Sequence, residues 1–249
     1  MPTIISEYLH STRAPRYSLT FALPLLLLYE VLAFSLSGRD FAGVRNGADV
    51  LLKSLFIAFG GRNGLIVFGV LLAAAGGWLV WRDWRGRQID PKLFAVMAVE
   101  SSLYALVFGV VTSTLTGLLL PGLATYGRIS ASPLHADRGE SLVTQLMISL
   151  GAGIYEELLF RVLLVSGLAW VMGRIFRWRP TASGVSAVLV GALIFSAFHY
   201  IGPYGDDLSL ISFTFRAVAG VLFSGLYLLR GFGITAWTHA LYDVFLALK

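Results

Sequence analysis

The stretch GLIVFGVLLAAAGGWLVW (64–81) carries no charged side chain anywhere along its length. A bilayer core about 30 Å thick demands about 20 predominantly apolar residues in helical form. With its flanks this run meets that demand, and comparable runs lie on either side of it. They are SLTFALPLLLLYEVLAFSL (18–36), then 93–120, 142–172, 180–200, 209–229 and 234–248. The segment ADVLLKSLFIAFG (48–60) is expected to lie flat at the interface or to dip into it. The expected fold class is therefore all-α, a polytopic membrane helix bundle of about seven transmembrane helices, with a range of six to eight. Composition agrees: 57% of the 249 residues are hydrophobic and 13% are charged, against roughly a quarter charged in an ordinary soluble domain. A soluble chain of this kind would lack the polar groups to cover its surface.

The partner implied by these runs is the lipid bilayer, and the expected location is multi-pass in the cytoplasmic membrane. The net charge of +5 arises from 19 basic and 14 acidic side chains. Basic residues cluster in short links such as WRDWRGRQIDPK (81–92) and RIFRWRP (174–180), as interfacial loops near anionic lipid do. Nucleic acid is thus not an expected partner. Counting basic residues on alternating sides gives ten against seven, which puts the N-terminus in the cytoplasm and the C-terminus outside. MPTIISEYLHSTRAP (1–15) lacks the basic start and small-residue cleavage site of a signal peptide. The first apolar run is therefore expected to be a retained span. With no cysteine, disulfides, thiolate metal sites and cysteine nucleophiles are excluded. No serine stands at a nucleophile elbow and no phosphate loop or dinucleotide fingerprint occurs.

An ionisable group in mid-span costs at least about 2.5–3.5 kcal/mol on insertion scales. Yet Glu30, Glu100, Glu156, Glu157, Arg161, His199, Arg216, His239 and Asp243 all stand in or near apolar runs. In IYEELLFRVLLV (154–165), Glu157 and Arg161 are i and i+4, the better order for an ion pair on a helix. They are expected to form a buried structural pair. Glu156 points about 100° away, which leaves it to face the bundle interior as a candidate general base. IFSAFHY (194–200) sets Phe195 and His199 on one face, and WTHALYD (237–243) does the same for His239 and Asp243. A pair at i and i+4 can converge on one point, as metal-binding or catalytic pairs do. Each pattern has a bland alternative: a proton or ion pathway for the glutamates, a packing residue for His199, a histidine held by its helix-mate for His239. Depth argues for a shared site. About 21 residues separate Glu156 from the turn near 177, roughly 30 Å of helix, and 19 separate Pro180 from His199. Arg216 is expected to pair with Glu30 or Glu100 as a structural clasp, because an unpaired arginine at that depth is costly.

Taken in order, EELLFR (156–161) fits EExxxR, FSAFH (195–199) fits FxxxH and HALYD (239–243) fits HxxxN/D. This resembles the CPBP family of intramembrane metalloproteases, which includes the type II CAAX prenyl endopeptidases and bacteriocin-processing or abortive-infection proteins. The resemblance covers 140–249 as a catalytic core, with 1–139 as an N-terminal transmembrane region. It implies an intramembrane endopeptidase acting on a CAAX-like or bacteriocin-like peptide or membrane protein. Glu156 and His199 would activate the attacking water. His239 and Asp243 would stabilise the oxyanion or help hold a divalent metal such as zinc, for which Glu156, His199 and His239 are the candidate ligands. Position 243 is aspartate where many prenyl endopeptidases have asparagine. The rival readings are a transporter using Glu156, Arg161 and Arg216 as a relay, and an immunity or scaffold protein on the same fold.

Overall fold

The computed structural model describes residues 4–37, 45–61, 63–121, 141–202 and 205–248. Along the chain run α1 (Ile4–Arg13), α2 (Pro15–Ser37), α3 (Gly47–Gly60), α4 (Asn63–Trp84) and α5 (Lys92–Leu119). They are followed by α6 (Leu142–Gly151), a π-helical segment (Ala152–Val165), α7 (Ser166–Arg174), α8 (Pro180–Phe198), α9 (Leu210–Arg230) and α10 (Phe232–Ala247). The described residues are 86% helical, without strands among them. It is a multi-pass membrane helix bundle. Helices α2, α4, α5, α8 and α9 are each long and apolar enough to cross a bilayer. The polar loop at 123–139 and the basic residues Arg39, Arg62, Arg128, Arg138 and Lys249, used in the orientation count, lie outside the described residues.

The helix ends follow from local chemistry. Pro180 opens α8, where a missing N–H costs nothing. Asn46 and Ser141 cap α3 and α6 through side-chain oxygens that accept from Ala48 N–H and Thr144 N–H. Gly231 closes α9 at φ 79°, a conformation that glycine adopts without strain. Large apolar side chains on α4 and α5, among them Val70, Val99, Leu106 and Val110, face outward, where lipid satisfies them. At the basic end Arg82 and Arg85 lie over the rings of Trp78 and Trp81, 4.8 Å and 3.7 Å from their centroids, as suits the membrane–water boundary.

Helix α10 packs against α2, α5, α6, the π segment and α9. It is 16 residues long, about 24 Å at 1.5 Å per residue, and it begins inside the bundle. Just before it, Arg230 meets Glu100 on α5, with Nε donating to Oε1 at 2.6 Å and Nη2 to Oε2 at 2.7 Å. The same guanidinium donates to Thr12 Oγ1 and the Leu9 carbonyl, while Tyr8 O–H donates to Glu100 Oε2 at 2.6 Å. This clasp fixes α1 to α5 and α9.

The expected partnership of Arg216 is corrected here. Its Nη2 lies 2.6 Å from Asp206 Oδ2, in the loop preceding α9, while Glu100 pairs with Arg230 and Glu30 with Lys53. Arg216 stands nearer the start of α9 than its end, so the local loop acid is the one within reach. The segment at 48–60 is a helix, and it turns Ala48, Asp49 and Leu52 inward.

At Gly153 the π segment and α10 come close together. A Cβ there would stand 2.4 Å from the Ala236 carbonyl oxygen and 2.7 Å from Ala240 Cβ. Gly153→Ala should therefore destabilise the bundle by about 1–3 kcal/mol, the usual cost of overpacking. The thermal midpoint of the purified protein in detergent reads this out, and an unchanged midpoint would show that the two helices are not held in contact.

Candidate active site

The π segment spans EELLFR and is the structural feature that periodicity did not reveal. Its i→i+5 ladder continues into its end, where Ser166 N–H bonds back to the Arg161 carbonyl. Such winding is uncommon and occurs disproportionately at functional sites. Most of its side chains point into protein: Tyr155, Glu156, Glu157, Phe160 and Arg161 are all buried.

Glu157, at 0% exposure, is hydrogen-bonded through one oxygen and ion-paired through the other. Arg161 Nε lies 3.1 Å from Oε2, and His239 Nδ1 lies 2.6 Å from Oε1. Arg161 is itself buried beneath two rings, its guanidinium carbon 4.4 Å from the centroid of Phe195 and 5.3 Å from that of Phe223. A cation over aromatic faces recovers part of what it loses on leaving water. His239 stacks on Phe223 with centroids 4.3 Å apart and planes 23° apart. Its Nε2 is 3.6 Å from Asp243 Oδ2, beyond a hydrogen bond. The residue that orients His239 is thus Glu157 on another helix, and Asp243 on its own helix stands farther off. Sequence spacing named Glu157 only as the partner of Arg161. Nothing local could have revealed its second bond, made across 82 residues.

His199 lies just past the end of α8, one residue beyond the helix. Its backbone N–H turns back to the Ser196 carbonyl and its ring Nδ1 is 2.9 Å from the Phe195 carbonyl. An oxygen acceptor at that place requires Nδ1 to carry the proton, which leaves Nε2 with a free lone pair when the ring is neutral. The backbone carbonyl of His199 accepts from Asp206 N–H at 3.0 Å. Phe195 joins the two histidines, with its ring 4.9 Å from that of His199 and 6.4 Å from that of His239.

Glu156 is 7% exposed. Its Oε1 accepts from Asn46 Nδ2 at 2.8 Å, a contact that no motif signalled. Glu156 is in electrostatic reach of His199, His239 and Arg161, and Asp243 in reach of His239, Glu156 and Glu157. Glu156, His199, His239 and Asp243 therefore gather in one region of the bundle. Among the described residues no group of three or more His, Asp or Glu is arranged to hold a metal ion. One nitrogen of His239 is bound to Glu157, one of His199 faces a backbone carbonyl, and one oxygen of Glu156 is bound to Asn46, which leaves one donor atom on each residue. Arg161 and Arg216, the two cations of a transporter relay, are each ion-paired to a carboxylate.

The segment that supplies all of these except Asn46 has known relatives. Residues 138–245 match the family described as type II CAAX prenyl endopeptidase Rce1-like. This segment is an Rce1-like CAAX-protease domain. The match ends short of α1–α5, and no solved structure matches the chain. Within the domain fall EELLFR, FSAFH and HALYD, so a protease assignment and the buried polar cluster coincide on the same helices.

Glu157→Gln tests the ion pair and the hydrogen bond that this carboxylate makes at the centre of the site. It strands Arg161 and weakens the hold on His239, and breaking a buried pair costs about 3–5 kcal/mol. Folded yield and thermal midpoint should both fall. A variant of wild-type stability would show that Arg161 has no need of the carboxylate.

Proposed function

We propose that the protein hydrolyses a peptide bond inside the membrane, using a water activated by Glu156 and His199. What supports this reading is the meeting of the three motifs around Phe195, within the segment that matches the CAAX prenyl endopeptidase family. Glu156, with Oε1 held by Asn46, takes a proton from water through its other oxygen as the water attacks the carbonyl carbon. His199 presents Nε2 as an acceptor and aligns that water. The carbonyl π electrons move to oxygen, giving a tetrahedral oxyanion. Protonated on both nitrogens, His239 donates through Nδ1 to Glu157 and offers Nε2–H to that oxyanion. Donors fixed in place before the charge develops are the strongest single contribution to such reactions. The proton held by Glu156 then passes to the leaving nitrogen as the C–N bond breaks. Asp243 Oδ2 lies 3.6 Å from His239 Nε2, on the side of the ring that would face the oxyanion.

No step is routed through a metal; a divalent ion, if held here, would take Nε2 of His199, Nε2 of His239 and the second oxygen of Glu156, and would polarise the water or the carbonyl. The proposed substrate is a CAAX-like C-terminal peptide of a lipid-modified or membrane-inserted protein. The proposed setting is the cytoplasmic membrane, and the proposed division is a transmembrane region at 1–139 with a catalytic core at 140–249.

Two measurements test the reading. Purified protein should cleave a quenched farnesylated CAAX peptide, and Glu156→Gln should lose at least about 100-fold in kcat, as removal of a general base does, with a folded yield near wild type. Full activity in that variant would overturn the role of Glu156. Dialysis against a chelator should leave the wild-type rate intact. A loss restored by added zinc would instead assign Glu156, His199 and His239 to a metal.

A further inference from the structure

Asn46 stands at the start of α3, and the side-chain bond it makes to Glu156 spans 110 residues. It lies outside the matched domain and outside every motif, yet it makes a direct hydrogen bond to the proposed base. Its amide is oriented without ambiguity. Oδ1 accepts from Ala48 N–H at 2.9 Å, and that partner can only donate. Nδ2 is therefore the end turned to Glu156 Oε1 at 2.8 Å. The residue is 3% exposed, so water does not replace either bond at low cost.

The rest of α3 is anchored to keep it there. Tyr29 O–H donates to Asp49 Oδ2 at 2.7 Å, and Asn46 N–H approaches the same hydroxyl at 3.4 Å. Asp49 is fully buried and ion-paired to Arg45 at 3.1 Å and Lys53 at 2.7 Å. Lys53 reaches on to Glu30 at 2.8 Å, and Tyr155, the neighbour of Glu156, donates to that same carboxylate. One polar network thus joins α2, α3 and the π segment on either side of the bond. Gly151 makes the space: a Cβ there would stand 2.5 Å from the Tyr29 ring and 2.7 Å from Asn46 Cβ. A cap alone needs neither a burial so complete nor a glycine opposite it.

We propose that Asn46 is a positioning residue for Glu156, delivered by α3 from the N-terminal half of the chain. It fixes Oε1 and so sets which carboxylate oxygen faces the attacking water. The proposal rests on the peptidase reading given above.

The experiment separates capping from positioning. Asn46→Asp and Asn46→Ser both keep an acceptor for Ala48 N–H, since aspartate, serine and asparagine cap about equally well, and neither keeps the amide donor. Wild type is assayed first on the quenched farnesylated CAAX peptide, followed by both variants and by Asn46→Ala. Positioning predicts that both cap-preserving variants lose 10–100-fold in kcat, the usual effect of releasing an orienting partner, with KM unchanged and, for Asn46→Ser, a thermal midpoint above that of Asn46→Ala. Asn46→Ala should lose the same activity and some stability besides. Wild-type kcat in Asn46→Ser, or a rise in KM with kcat intact, would reduce Asn46 to a helix cap and overturn the inference while leaving the peptidase reading in place. Should Asn46→Asp fold poorly beside Glu156, Asn46→Ser, which is neutral, carries the same test. A wild type that cleaves nothing overturns the peptidase reading, and this inference falls with it.

Discussion

Glu157 has to be held by both a countercharge and a hydrogen bond, because a carboxylate cut off from water costs several kcal/mol unless it is paired and hydrogen-bonded. The chain supplies the two partners from different places. Arg161 comes from the same π segment and His239 from α10. Once both are bound, the rotation of the π segment and that of α10 are fixed against each other. Gly153 then allows the two backbones to approach until they touch. The aromatic pair Phe195 and Phe223 closes over the guanidinium from α8 and α9. Four helical elements are set by one acid.

That arrangement also explains why two adjacent glutamates do different work. Neighbouring residues on a helix cannot face the same partner, so satisfying Glu157 turns Glu156 toward another side of the segment. There it meets Asn46, and the histidines of α8 and α10 lie within electrostatic reach. The charge of Glu157 is cancelled by Arg161, while that of Glu156 is left opposite titratable rings. The structural carboxylate is the one whose two oxygens both face partners within the protein. A chemical one keeps an oxygen for the substrate water.

Much of the fold was legible because a bilayer tolerates so few solutions. Long apolar runs with aromatic and basic links read directly as helices, and the proline at 180 and the glycine at 231 marked their ends. The Glu157–Arg161 pair was legible for the same reason, since spacing along one segment is visible in sequence. Three things were not. The π winding was hidden because the residues of EELLFR fit an ordinary helix equally well by periodicity. The partner of Arg216 was misread because depth was estimated without the short loop that carries Asp206. Asn46 was invisible as a site residue because N-G-A-D reads only as a helix start. Contacts across 82 or 110 residues leave no local pattern.

The N-terminal helices are therefore more than a membrane anchor for the matched domain. Two polar clusters tie them to it at separate places. In one, Glu100 and Arg230 join α5 to α9 and draw in α1 through Tyr8 and Thr12. In the other, the network around Asp49 joins α2 and α3 to the π segment through Tyr155. In hydrocarbon such clusters are costly to open, because every released group loses its partner with no water to replace it. Short α3, at 14 residues, about 21 Å of helix, cannot cross the bilayer by itself. Its stability comes from those buried ion pairs, and their consequence is that the amide at its first turn is held against Glu156. The charge pairs that keep the N-terminal half folded and the hydrogen bond that orients the candidate base are thus parts of one network.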